Sequence, residues 1–139
     1  MRRHILTTFA AGASPTRVSV AQALGLDDAQ VAASYAALDA THVVVLERDT
    51  GEAWMAMPFS AVPTAFRVVV GGRSVWANCA WDAFGIAAAM SCDVSIATYC
   101  LDCGAAMAYG VRGGELTHRD GVVHFAVPAS QWWDDIGFT

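Results

Sequence analysis

The sequence predicts an α+β fold, in which a winged-helix-like three-helix module packs on a β-rich, mainly antiparallel or mixed domain with a central helix. Three observations favour this prediction. Three short helical patterns and a hairpin pattern occupy residues 1–60. Runs of β-branched and aromatic residues, separated by Gly-Gly and Asp-Gly pairs, dominate the rest of the chain and are typical of strands joined by tight turns. An Ala-rich apolar stretch at residues 83–90 interrupts these runs and has the composition of a buried helix.

Length and composition describe a globular protein with a sizeable core. The chain has 139 residues, of which 55% are hydrophobic and 15% charged, so disorder is excluded. This length allows one large domain or two small ones that share a core. We divide it into residues 1–60, the winged-helix-like module, and residues 61–139, a catalytic or metal-binding domain. The net charge of −5 provides no basic field for nucleic acid.

Neither a membrane span nor a targeting segment is predicted. The longest run without a charged residue, residues 53–66, has 14 residues and two prolines, which is too short and too broken to cross a bilayer. Two threonines interrupt the apolar run near the N-terminus, so we interpret that stretch as a first helix and not as a signal peptide. A cytoplasmic chain with reduced cysteines is therefore expected. The four cysteines are Cys79, Cys92, Cys100 and Cys103.

Capping and turn residues predict the elements of the N-terminal module. Gly12 ends a first helix, Ser19 caps a second, and Gly25 stops that second helix. Asp27 and Gln30 have the spacing of a capping box, which opens a third helix. The predicted helices and the hairpin strands after them span residues 3–11, 20–24, 28–40, 43–47 and 53–57.

Three helices followed by a hairpin are the order of a winged helix-turn-helix, an arrangement that often binds DNA. The third helix, however, contains no Lys or Arg and carries Asp28 and Asp39, so it offers little to phosphates or guanine edges. We interpret the module as structural and expect no nucleic-acid partner. The alternative is a winged-helix metal-responsive regulator that uses cysteines as sensor ligands.

Turn residues also divide the second part of the chain. A connector with two prolines, residues 57–64, is expected to be extended. Two Gly-Gly pairs and one Asp-Gly pair mark turns between strands, and Pro128 ends the last strand. The predicted strands span residues 66–70, 73–77, 94–99, 105–111, 115–118 and 122–127, and a short amphipathic piece follows at residues 129–136.

Cys79 and Asp82 are the candidate reactive pair. Asn78 is a competent N-cap, which would place Cys79 in the first turn of a helix and Asp82 about one turn on, on the same face. The helix dipole and unpaired N–H groups favour a thiolate there, so we expect the pKa of Cys79 to lie below that of a free thiol. A close carboxylate opposes this effect and should have a raised pKa itself. The alternative is a buried Cys79 that packs as a small hydrophobe beside a solvated Asp82.

Cys100 and Cys103 are two residues apart and precede Gly104, as in a metal-binding knuckle. Such a pair is half of a structural zinc site, but no second Cys or His pair has zinc-site spacing. A plain turn between strands, a soft-metal relay and a small structural zinc protein are the interpretations that remain. Thiolates alone favour Hg, Cu(I) or Zn over Mg or Ca. The four histidines form no catalytic pattern.

Motifs in the second part of the chain resemble a known family. Residues 61–68 read Ala-Val-Pro-Thr-Ala-Phe-Arg-Val, and residues 75–82 read Val-Trp-Ala-Asn-Cys-Ala-Trp-Asp after Gly72-Arg73. A strand, a cysteine near position 100 and a Val-x-Pro segment at residue 128 follow in a matching order. These features resemble the alkylmercury (organomercurial) lyase family. The resemblance covers most of the chain and assigns residues 1–60 to the family's non-catalytic winged-helix module.

The resemblance implies protonolysis of carbon–mercury bonds. Cys79 would be the thiolate that captures mercury, and Asp82 would deliver a proton to the departing carbon and then bind Hg(II). Cys100 would match a mainly structural cysteine of the family. No cofactor is required, Hg(II) stays as the bound product, and zinc is the less favoured metal. The implied partners are an organomercurial or other soft-metal compound, small thiols, and a mercuric reductase or another metal-accepting protein.

One residue of the family pattern has no counterpart. The family's second catalytic cysteine follows the Val-x-Pro segment, whereas this sequence has no Cys after Cys103, and the position falls at or beyond Thr139. Two thiolates are the natural linear pair for Hg(II), so the resemblance implies a truncated or divergent member with weak or lost cleavage. The alternative function is that of a thiolate soft-metal-binding protein.

Overall fold

The computed structural model describes residues 1–138, and Thr139, at the position expected for the family's second cysteine, lies outside them. The α-helices within this range are α1 (Arg2–Ala10), α2 (Arg17–Leu24), α3 (Asp28–Asp39) and α4 (Ala80–Met90), and a short 3-10 helix spans Ala129–Gln131. The strands are β1 (Val45–Leu46), β2 (Ala53–Ala56), β3 (Phe59–Ser60), β4 (Phe66–Val70), β5 (Arg73–Ala77), β6 (Val94–Tyr99), β7 (Ala106–Arg112) and β8 (Glu115–Leu116). In this part of the chain, no helix has the length and apolar character needed to cross a membrane.

Capping side chains set the starts of α2 and α3. The Thr16 hydroxyl accepts a hydrogen bond from the Ser19 backbone N–H at 3.2 Å, so α2 begins at Arg17. The prediction that Ser19 caps a helix starting at residue 20 is wrong, because Thr16 fills the capping role three residues earlier. The capping box of Asp27 and Gln30 is confirmed, with its two hydrogen bonds at 2.8 and 3.0 Å.

The strands of the described range form one antiparallel sheet in the order β1-β2-β3-β5-β4-β6-β7-β8. The strands predicted at residues 66–70, 73–77 and 94–99 are confirmed as β4, β5 and β6. The predicted connector, residues 57–64, also contains β3, which pairs with β2 on one side and with β5 on the other. The N-terminal hairpin and the later strands therefore share a continuous sheet.

The strand predicted at residues 122–127 is wrong. Residues 122–125 have no regular structure, and Val122 is 92% exposed. β8 ends at Leu116, after which the Thr117 backbone N–H donates to the Gly110 carbonyl oxygen and the ladder stops. Within residues 1–138 no strand lies beside the apolar pattern beyond, and Val122 and Val123 stay exposed, whereas strand propensity depends on pairing and burial.

A hydrophobic core joins the N-terminal helices to the sheet. Phe9 of α1 stacks on Phe59 of β3 with ring centroids 6.2 Å apart, and both belong to the same buried cluster as the interior of α4. α4 packs on β4, β5, β6 and β7, and its buried residues are Ala83, Ile86 and Ala87. This packing places the first turn of α4 next to the end of β5, where the candidate site lies.

Candidate functional site

The link between β5 and α4 carries the reactive thiol. Cys79 is itself the N-cap residue of α4, with an extended backbone (φ −145°, ψ −178°) and no capping hydrogen bond from its side chain. The prediction that Asn78 is the N-cap is therefore wrong by one residue. Thr64 fixes the strand end just before the site, because its hydroxyl donates to the Ala77 carbonyl oxygen at 2.6 Å.

Asn78 holds the carboxyl group instead of capping the helix. Its Nδ2 donates to Oδ2 of Asp82 at 3.2 Å. Within residues 1–138 its Oδ1 is buried and has no hydrogen-bond partner. Asn78 is thus a positioning residue that sequence reasoning missed, because an Asn just before a helix is also a common cap signal.

Burial has the largest effect on the pKa of the Cys79 thiol. Cys79 is partly buried, and this burial raises the pKa of its thiol above the ordinary value. The negative charge of Asp82 raises the same pKa further. The backbone N–H groups of Asp82 and Trp81 lower the same pKa, as expected for a helix start. The expectation of a lowered pKa for Cys79 is therefore wrong, because the loss of hydration outweighs the helix N-terminus.

Asp82 has a raised pKa, as predicted, but mainly for a different reason. The largest cause is burial of the carboxyl group, whereas hydrogen bonds from Asn78 and from the Cys79 thiol lower the pKa. A carboxyl with a raised pKa, one helical turn from a thiol, suits a group that must take up a proton and hand it to carbon.

The register of the sheet brings Cys100 to the same end of the sheet as Cys79. Phe66 of β4 pairs with Ala77 of β5. On its other side, β4 pairs antiparallel with β6, and Arg67 lies opposite Ala97. Continuing this register by one residue places Phe66 opposite Thr98. The ends of β5 and β6 are thus two strand spacings, about 10 Å, apart. Cys79 lies two residues after Ala77, and Cys100 lies two residues after Thr98.

Cys100 and Cys103 flank the turn that joins β6 to β7. The Cys100 backbone N–H donates to the Ala105 carbonyl oxygen, and the Gly104 N–H donates to the Cys100 carbonyl oxygen, both at 2.8 Å. Hydrogen bonds from the backbone N–H groups of Cys103 and Asp102, then from the Cys103 thiol, lower the pKa of Cys100. Within residues 1–138, no three His, Cys, Asp or Glu side chains lie close enough together to hold one metal ion.

An apolar groove of about 530 Å³ opens beside the first turn of α4. Trp81, which is 66% exposed, forms one wall, and the irregular segment after β8 forms the other. The segment contributes Val123, His124, Phe125, Ala126, Val127, Pro128, Ala129 and Trp132. Cys79 and Asp82 do not line this groove, but Trp81 lies between them in sequence. The position of Trp81 within Cys-Ala-Trp-Asp was the signal in the sequence for its place beside the site.

Fold and site together define a class: an α+β protein with a thiol and a carboxyl one turn apart at the start of the helix that covers its sheet. Residues 59–139 match the alkylmercury lyase family, and the chain belongs to this family. The resemblance predicted from the motifs is thereby confirmed. The structure is also similar to the crystal structure of the mercury-bound form of MerB2, with a TM-score of 0.67, 27% identity and 84% of this chain covered. The chain spans 56% of the length of that MerB2 chain. No curated protein matches the sequence.

Proposed function

We propose that this protein is an organomercurial lyase-like protein that cleaves carbon–mercury bonds by protonolysis. The observation that carries the proposal is the placement of Cys79 at the N-cap of α4 and of Asp82, with its raised pKa, in the first turn, in a chain of the alkylmercury lyase family. The similarity to a mercury-bound MerB2 structure supports the same chemistry. Cys79 captures mercury, and Asp82 carries the proton.

The first step forms a sulfur–mercury bond. The Cys79 sulfur attacks the mercury of R–Hg–X, the anion X⁻ leaves, and the thiol proton passes to the Asp82 carboxylate. The raised pKa of Asp82 favours this transfer, because burial stabilises the neutral carboxyl. Asn78 orients the accepting carboxylate through its 3.2 Å hydrogen bond.

The second step breaks the carbon–mercury bond. A thiolate adds to mercury, and the Asp82 carboxyl delivers its proton to carbon, which keeps the electron pair of the carbon–mercury bond and leaves as R–H. In the proposed reaction, a small thiol from solution supplies that second sulfur. Hg(II) remains between the Cys79 sulfur and the added thiolate until small thiols or a metal-accepting protein remove it. No electron is transferred, so no redox cofactor takes part.

The groove beside Trp81 gives the organic group R a place to lie. Its walls are apolar and aromatic, and burial of an apolar group against such walls stabilises binding by roughly 25 cal/mol per Å². The proposed substrates are therefore organomercurials with an apolar alkyl or aryl group.

The decisive experiment measures both products. The full chain is incubated with methylmercury and an excess of a small thiol, and methane and Hg(II) are quantified against a protein-free control. Methane and Hg(II) in equal amounts are expected. Stoichiometric Hg(II) binding without any methane would show a soft-metal-binding protein and would contradict cleavage.

A further inference from the structure

We propose that Cys100 and Cys103 form a second mercury site, a two-sulfur chelate for Hg(II) at the turn between β6 and β7. This site goes beyond the proposed cleavage at Cys79, because it needs neither Asp82 nor a carbon–mercury bond. Binding forms two sulfur–mercury bonds and releases the two thiol protons to solvent, with no change in oxidation state.

The turn holds the two cysteines at a fixed separation. Two backbone hydrogen bonds of 2.8 Å, Cys100 N–H to Ala105 O and Gly104 N–H to Cys100 O, close the loop on both sides of residues 101–103. Gly104 has a φ of +72°, a left-handed conformation that favours glycine and lets the chain return into β7. Only two residues separate the two cysteines in this closed turn, so side-chain rotations can bring both sulfurs to one metal ion.

The turn lies open to solvent. Cys103 is exposed, and Leu101 beside it is 75% exposed, so a metal complex reaches the pair from solvent without any movement of the fold.

The number of ligands selects the metal. A structural zinc site needs four ligands, and within residues 1–138 no third His, Cys, Asp or Glu side chain joins this pair. Hg(II) binds two thiolate sulfurs in linear coordination, and soft thiolates prefer soft ions. The pair therefore fits Hg(II) and not zinc.

The Cys100–Cys103 pair lies where it can receive mercury from Cys79. Cys100 follows β6 at the same end of the sheet as Cys79 after β5, because both strands pair with β4. Mercury released at Cys79 therefore meets a dithiol at the same end of the sheet. Two linked sulfurs also hold the ion against single thiols, since the second bond forms at a high effective concentration.

The test measures the mercury that survives competition. The fully reduced chain is loaded with mercuric chloride and dialysed against an excess of a monothiol, and retained mercury per chain is measured by elemental and intact-mass spectrometry. We expect Cys100→Ser and Cys103→Ser each to lose about one equivalent, and the double variant to lose no more than either single variant. Cys92→Ser is the matched control, because Cys92 is a lone exposed cysteine, and its retention should equal that of the parent.

Three outcomes would overturn the chelate. Full retention by either single variant would show that the two sulfurs do not act together. Loss of the same equivalent in Cys79→Ser would place the ion on Cys79. Equal loss in Cys92→Ser would show adventitious binding to exposed thiols. The methane assay is independent of all three, so a failed cleavage proposal and a failed chelate are told apart.

Discussion

At the scale of single residues, the N-cap position of α4 and the proposed mercury ligand are the same residue, Cys79. Cys79 occupies a position where Ser, Thr, Asp or Asn would be preferred, and it makes no capping hydrogen bond there. The helix start thus lacks a strong cap, which keeps the sulfur available for a metal. A serine at this position should cap α4 better than the cysteine does, so the fold should survive the loss of the sulfur.

The division of labour between Cys79 and Asp82 gives the first prediction at this scale. Cys79→Ser should abolish mercury binding at the α4 site, because a hydroxyl is a poor ligand for a soft ion. Asp82→Asn should keep much of the binding and lose methane production, because an amide has no proton to deliver to carbon. Mercury titration and the methane assay on both variants beside the parent check this. Unchanged stoichiometry in Cys79→Ser would mean that the Cys100–Cys103 pair holds all the metal.

The pH dependence of the thiol gives a second prediction. The thiolate is the nucleophile, so alkylation of Cys79 should speed up as pH rises through its raised pKa. Asp82→Asn removes a charge and a hydrogen-bond acceptor that both raise this pKa, so the variant should react faster than the parent near pH 8.

The measurement is the rate of iodoacetamide labelling against pH, in a chain whose other three cysteines are replaced by serine. Asp49→Asn, at an exposed carboxylate in the β1–β2 turn, is the matched control and should not change the rate. A slower reaction in Asp82→Asn would contradict the assignment, because it would mean that the carboxylate activates the thiol.

At the scale of elements, two glycines without positive φ test how α4 and the β6–β7 pair are packed. A Cβ at Gly85 in α4 would meet nothing within 4 Å, so Gly85→Ala should stabilise the protein by about 0.5–1 kcal/mol through helix propensity. A Cβ at Gly110 in β7 would lie 2.9 Å from the Val94 carbonyl oxygen, so Gly110→Ala should destabilise by about 1–3 kcal/mol.

Urea unfolding of the two alanine variants gives the free energies of unfolding. The two substitutions add the same methyl group, so each serves as the control for the other. If both substitutions changed the free energy of unfolding in the same direction, backbone entropy alone would explain the changes. β6 and β7 would then be less closely packed than the Gly110 contact indicates.

At the scale of the whole molecule, the three N-terminal helices and the sheet should unfold together. Phe9 is 3% exposed and stacks on Phe59, so Phe9→Ala should cost about 3–5 kcal/mol, a large part of the 5–15 kcal/mol of a typical domain. Denaturation followed by far-ultraviolet circular dichroism and by tryptophan fluorescence should give one transition at a lower midpoint. Val18→Ala, at a residue 63% exposed on α2, is the control and should change little. Helix signal lost before tryptophan signal would show a separately unfolding module.

Much of the fold and of the site follows from the sequence alone. The capping box of Asp27 and Gln30, the hairpin of β4 and β5, and the pairing of thiol with carboxyl at Cys79 and Asp82 are decided by residues that are near one another in the chain. Local geometry fixes such features, and a pattern of a few residues therefore predicts them. The Cys-Ala-Trp-Asp motif and its flanking strand also predicted the family that the comparison of residues 59–139 confirmed.

Tertiary structure decided what depends on distant neighbours. β3 became a strand because β2 and β5 lie on its two sides. Residues 122–127 did not, because no strand in the described part of the chain lies beside them. The pKa of Cys79 rises because the fold removes water from the helix start, and this desolvation outweighs the dipole that the sequence predicts. Cys79 and Cys100 share one end of the sheet only through their register with β4. Burial and register are properties of the assembled sheet, and no local pattern contains them.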